Sequence, residues 1–161
     1  MKPSQPVRSP VRALGAALFD TGLRVREECD ELILNRSEFE LRVSAVERSS
    51  GYMVRCVISI AEYRLMAGYG EIFNAMALEG YPVVAFGAGH GQVSFEFSWF
   101  HPEGADWRIS GQHCQGLIDR VLGELAPIPQ RAAGKSALRQ NRLAPLPAIR
   151  SGGLAPAGSR G

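Results

Sequence analysis

The chain has 161 residues, 45% hydrophobic and 21% charged, enough for one domain with its own core. Its mean hydropathy of −0.06 and the lack of an apolar run of about eighteen residues exclude a membrane-spanning helix, and three Cys without a C-x-x-C spacing exclude a disulfide scaffold and a zinc ribbon. The net charge of +2 hides a segregation: residues 11–129 carry ten Arg against all 16 acidic residues, net −6, while both ends are basic.

Residues 1–10, with three Pro and no apolar pattern, read as a flexible lead. Lys2, Arg8 and Arg12 ahead of residues 13–19 sketch a signal peptide. However, the apolar run is only about seven residues and Asp20 stands where small cleavage-site residues belong. The run is therefore read as a first helix, with Ser9 at the N-cap, Pro10 at the first helical position and Gly22 as its stop. A cytoplasmic location is the expectation. Val11, Leu14, Leu18 and Val25 share a face at helical period. Residues 23–36 stay open: the Glu27, Glu28, Asp30 and Glu31 cluster looks helical or solvated, whereas Leu32, Ile33 and Leu34 suit a short strand.

Phe39, Leu41, Val43 and Ala45 alternate with polar residues, as do Tyr52, Val54, Cys56, Ile58 and Ile60. The two runs flank a turn at residues 47–51 and predict an antiparallel hairpin. From Glu62 to Glu79 the period becomes helical through Leu65, Tyr69, Ile72, Phe73 and Met76; Gly68 and Gly70 delay the firm part to about Glu71, and Gly80 ends it. The wholly apolar run from Tyr81 to Phe86 predicts a central strand, paired with the alternating run Val93, Phe95, Phe97 and Trp99. Ser110 is the expected N-cap of a last helix whose buried face holds Cys114, Leu117, Ile118, Val121, Leu122 and Leu125, closed by Pro127 and Pro129. Residues 11–129 thus predict a single α+β domain, an antiparallel sheet with helices in the order α-β-β(-β)-α-β-β-α. Residues 130–161, with no acid, aromatic or periodicity, read as a disordered basic tail.

The sequence Gly87-Ala88-Gly89-His90-Gly91 invites a phosphate-loop reading, but no helix follows it and no Lys-Ser/Thr closes it, so a hairpin turn is expected. His101, His113 and Cys114 are close in sequence. Adjacent helical residues point about 100° apart, which does not favour one metal ion, so no metal site and no cofactor are expected. No G-x-S-x-G is present, and Glu96 reads as a solvent-face residue, so no catalytic residues are assigned. The cluster Trp99, Phe100, His101, Pro102 and Trp107 has two readings: an exposed rim of an apolar groove, or a core in which Trp99 closes the sheet and Trp107 packs on the last helix.

The helix, strands, helix, strand pair, helix order resembles the type III secretion chaperone-like fold, including the YbjN family. The resemblance runs from Tyr63 to Leu125: Ile72-Phe73-Asn74 ahead of a strand pair turning at Gly91, then a loop with Gly104 and an amphipathic helix. It implies a small, usually dimeric, non-catalytic protein holding an extended segment of a client against apolar patches, and an acidic domain suits it; the basic tail is a departure. The expectation is therefore a cytoplasmic chaperone-like or adaptor domain, a possible homodimer with a protein partner, with Trp99, Phe100 and Trp107 as candidate contacts. The rival is an RNA or other nucleic-acid-binding protein using an aromatic-bearing sheet and the tail residues Arg131, Lys135, Arg139, Arg142 and Arg150. An enzyme would require a pocket gathering Glu96, His90 or His101.

Overall fold

The computed structural model describes residues 9–127. Residues 1–8 of the expected lead, residues 128 and 129, and the expected tail 130–161 with its five basic candidates Arg131, Lys135, Arg139, Arg142 and Arg150 lie outside the described residues. Helix α1 (Pro10–Asp20) is followed by strands β1 (Arg26–Glu28), β2 (Glu31–Asn35), β3 (Glu40–Arg48) and β4 (Gly51–Ala61) and a single 3-10 turn (Glu62–Arg64). Helix α2 (Tyr69–Leu78), strands β5 (Val83–Gly89) and β6 (Gln92–Pro102), and helix α3 (Trp107–Leu122) complete the order. The six strands form one antiparallel sheet in the order β1-β2-β3-β4-β6-β5. The fold is α+β, as the periodicities predict.

Alternation decides which face of that sheet is covered. Leu41 pairs with Ile58 and Val43 with Cys56, while Cys56 pairs with Phe97 and Ile58 with Phe95. All six are fully buried, in one cluster with Leu14 and Leu18 of α1 and Cys114, Leu117, Ile118 and Val121 of α3. Truncating such a ring costs about 3–5 kcal/mol, so Phe95 and Phe97 at the centre of this layer are its principal apolar anchors. Among the described residues no helix lies over the opposite face. It presents Arg42, Ser59, Ser94 and Glu96 together with a few apolar side chains.

Helix ends follow local chemistry. At α1, Gly22 takes φ +89°; its N–H donates to the Phe19 carbonyl and the Leu23 N–H donates to the Leu18 carbonyl, the paired pattern of a glycine-closed helix end. At α2, Gly80 and Tyr81 repeat it onto Ala77 and Met76. Ser9 occupies the N-cap position of α1 but its hydroxyl makes no capping bond. For α3 the cap is Asp106, whose carboxylate accepts from the Arg108 N–H at 2.9 Å. Ser110 lies a turn further on, inside the helix and 1% exposed. The expected cap at Ser110 is thus corrected: Asp106 offers a charged acceptor earlier, and the Ser110 hydroxyl is used elsewhere.

One open stretch is resolved, with Leu32, Ile33 and Leu34 in a strand, and one strand expectation changes. Residues 23–36 make a hairpin, β1–β2, because Cys29 and Asp30 adopt left-handed φ values of 51° and 60° and turn the chain in two residues. The sheet therefore has four strands before α2. The apolar run Tyr81–Phe86 is not a central strand: β5 starts at Val83 and, among the described residues, pairs with β6 alone and forms the sheet edge. Only Val83 of β5 is half-buried and the other six residues are exposed, although the Phe86 ring meets Tyr69 and Phe73 of α2 at centroid distances of 5.4 and 4.9 Å; a bulge between Val83 and Ala85 breaks the alternation.

Arg120 of α3 reaches both oxygens of Glu79 at the end of α2, at 2.8 and 3.0 Å, and also bonds Glu124. The hydrogen bond from Arg120 holds the Glu79 carboxyl below its ordinary value of 4.5. A depressed carboxyl stabilises the fold above its unfolded value and ceases to do so as pH falls through the folded one. Arg120→Met is accordingly expected to lower the urea midpoint at pH 7 and to lower it less at pH 3. Equal losses at both pH values would assign the effect to the packing of the Arg120 side chain, which also lies over Tyr81.

Candidate protein-interaction site

The three candidate contact residues do not converge. Trp99 and Trp107 are half-buried on the helix-covered side, whereas Phe100, one residue along β6, points to the uncovered face and is 44% exposed. The half-turn between neighbouring strand residues makes this separation unavoidable.

On the covered side the two tryptophans belong to a polar and aromatic staple. The Trp99 indole Nε1–H donates to Ser110 Oγ at 3.0 Å, and His101 Nδ1 lies 2.8 Å from the same oxygen. The Ala105 carbonyl, 3.1 Å from His101 Nε2, only accepts, so the ring proton lies on Nε2 and Nδ1 accepts from the Ser110 hydroxyl, whose oxygen accepts from the indole. The imidazole, 2% exposed, stacks on Trp107 with centroids 3.8 Å apart and planes 10° apart, and Trp107 meets Tyr52 of β4 at 5.2 Å. Every member of the chain from Trp99 to Ala105 is satisfied. The arrangement ties the end of β6 to the first turn of α3 and leaves the His101 nitrogens committed.

On the uncovered face Phe100 has company that the sequence reading did not name. The register places Val46 opposite Met53 and Met53 opposite Phe100, an apolar row across three adjacent strands. Val46 is 50% exposed and Met53 is half-buried. The next row inward is polar, Ser44, Arg55 and Ser98, and the one after it sets Val57 between Arg42 and Glu96. The cations there are already engaged. Arg55 donates to Glu96 at 2.7 Å and holds its carboxyl below the usual range, while Arg42 reaches Glu40 and Glu31 at 2.9 and 3.2 Å. Within β6, Phe95, Phe97 and Trp99 turn toward the helices, which leaves Phe100 as that strand's aromatic on the open face. The stripe Val46–Met53–Phe100 is thus an exposed apolar surface bordered by internally neutralised charge.

The remaining sequence candidates separate. Gly87–Gly91 is the β5–β6 hairpin, turned by His90 and Gly91 at φ 53° and 76°. His113 is exposed beside buried Cys114; contact with Cys114 and burial push the Cys56 thiol well up. Among the described residues no group of three His, Cys, Asp or Glu is placed to hold a metal ion. A cleft of about 460 Å³ lies between residues 79–82 and α3, lined by Glu79, Tyr81, Pro82, Gln112, His113 and Leu117. A second of about 360 Å³ lies between α1 and the β1–β2 hairpin. Neither gathers Glu96, His90 or His101, which sit on the open face, at a hairpin tip and in the covered layer respectively. Among the described residues no helix is long and apolar enough to cross a membrane. Comparison of the chain with protein-family models, with curated proteins and with solved structures finds no match in any of the three.

Proposed function

We propose that this chain is a non-catalytic protein-interaction domain, chaperone-like or adaptor in type, that holds an extended segment of a partner protein on the uncovered face of its sheet. The observation that carries this reading is the exposed row Val46–Met53–Phe100. Apolar side chains contiguous across three strands, on a face over which the described residues place no helix, gain by being covered. The rows beside them, with Arg42 and Arg55 already paired, border the stripe as a rim borders an interface core. The partner segment is apolar where it meets the stripe and basic overall, in keeping with the net −6 of residues 11–129 and its effect on encounter.

The test places a photo-crosslinking amino acid at position 100 of the full chain and, as a control, at Ile109, an exposed position on α3. The expected result is a single protein partner crosslinked from position 100 but not 109, the same partner being retained by the tagged wild-type chain and lost by a tagged Phe100→Asp variant that keeps its far-UV circular dichroism. A partner that binds the Phe100→Asp variant equally well contradicts the reading.

A further inference from the structure

The two edges of the sheet are built differently. The β1 edge is three residues long, Arg26-Glu27-Glu28, fully charged, with its side chains in ion pairs to one another and to Arg12. Brevity and charge are the usual means of keeping an edge from pairing with another chain. The β5 edge has neither. Its seven residues, Val-Val-Ala-Phe-Gly-Ala-Gly, contain no charge and no proline, and Val84 and Phe86 are 52% and 43% exposed.

The hairpin geometry identifies which backbone groups that edge leaves free. The two-residue turn at His90 and Gly91 makes Gly89 and Gln92 the closing hydrogen-bonded pair. Alternation then directs the amides of Gly89, Gly87 and Ala85 toward β6 and those of Phe86 and Ala88 outward. We propose that the outward groups of Phe86 and Ala88 pair with the same two residues of a second copy, antiparallel about a two-fold axis at Gly87, joining two sheets into one of twelve strands.

Three features favour a second copy as the occupant. Pairing β5 with itself sets no like charges opposite each other, since the strand has none. The register centred on Gly87 sets Phe86 of each chain against Ala88 of the other, large against small, on the side where Tyr69 and Phe73 of α2 already flank the Phe86 ring. At the axis the two chains approach most closely, at a pair that is not hydrogen-bonded, and the residue there is a glycine whose surroundings within the chain are open. The inference rests on the β5 edge alone and is independent of the Phe100 stripe.

The test is sedimentation of the full chain, with two variants and one crosslink. Ala88→Pro removes an outward N–H that the β5–β6 ladder does not use, and Phe86→Lys charges the edge. The wild type is expected to sediment as a dimer, and each variant that keeps its far-UV spectrum at half that mass. In a Cys29→Ser background, Gly87→Cys is expected to give a covalent dimer on mild oxidation, and Ala85→Cys not. A wild type that is monomeric at every concentration, or a folded Ala88→Pro that stays dimeric, overturns the proposal. If neither variant folds, the Gly87→Cys crosslink decides: its formation supports the proposal and its absence overturns it.

Discussion

Gly51→Ala is expected to be among the most damaging single substitutions in the described domain. Gly51 opens β4 directly after the two-residue turn at Ser49 and Ser50 and pairs with both Arg48 and Pro102. A Cβ built there falls 2.3 Å from the His101 carbonyl oxygen and 2.9 Å from the Glu103 nitrogen, both backbone atoms, and 2.8 Å from the Phe100 ring. A flexible side chain could step aside; two backbone groups held in the ladder cannot. Overpacking of this kind costs about 3 kcal/mol or more, and for a domain of this size the melting temperature falls by about 10 °C or more. Gly116→Ala is the control. It lies within α3 with nothing within 4 Å of its built Cβ, so the better helix former is expected to stabilise by about 0.5–1 kcal/mol. Thermal melting of the two variants beside the wild type checks both signs, and a Gly51→Ala protein that melts with the wild type would refute the close approach.

The second large effect concerns Ser110. Its hydroxyl accepts from Trp99 and donates to His101, so Ser110→Ala orphans a donor and an acceptor in one step. Leaving two such groups unsatisfied costs about 2–4 kcal/mol. The cost should be partly relieved by Trp99→Phe, which removes the orphaned indole donor, so the double variant is expected to lose less than the sum of the two single losses. Urea midpoints of the four proteins measure this coupling. Strict additivity would mean that the hydroxyl does not join the two rings.

How much of this was legible in the sequence depended on whether side-chain pattern alone decides the matter. The alternations around Val43, Cys56 and Phe95 specify a strand face because one side of each strand is buried, and the structure has them there. The β1 strand escaped because Arg26, Glu27 and Glu28 are all exposed and an edge without a buried face has no period. The run Tyr81–Phe86 reads as a central strand because residue type alone does not report burial: β5 is apolar yet exposed at six of its seven residues. Ser110 suits an N-cap by residue type; that Asp106 comes first, and that Trp99 and His101 claim the hydroxyl, are facts of tertiary packing. Phe100 could be set on the outer face by counting from Phe95 and Phe97, but its partners Val46 and Met53 need the register of two hairpins, which no single run contains.

The most direct test of the interaction reading is a tagged pull-down from source cells with the full chain in two forms. One is the wild type, and the other has Arg131, Lys135, Arg139, Arg142 and Arg150 all replaced by Ser. Proteins are read by mass spectrometry and nucleic acid by nuclease-sensitive absorbance. One stoichiometric protein partner retained by both forms, and held as salt is raised, is the result predicted here. Nucleic acid recovered with the wild type and lost with the neutralised tail, with the steep salt dependence of phosphate binding, would contradict it.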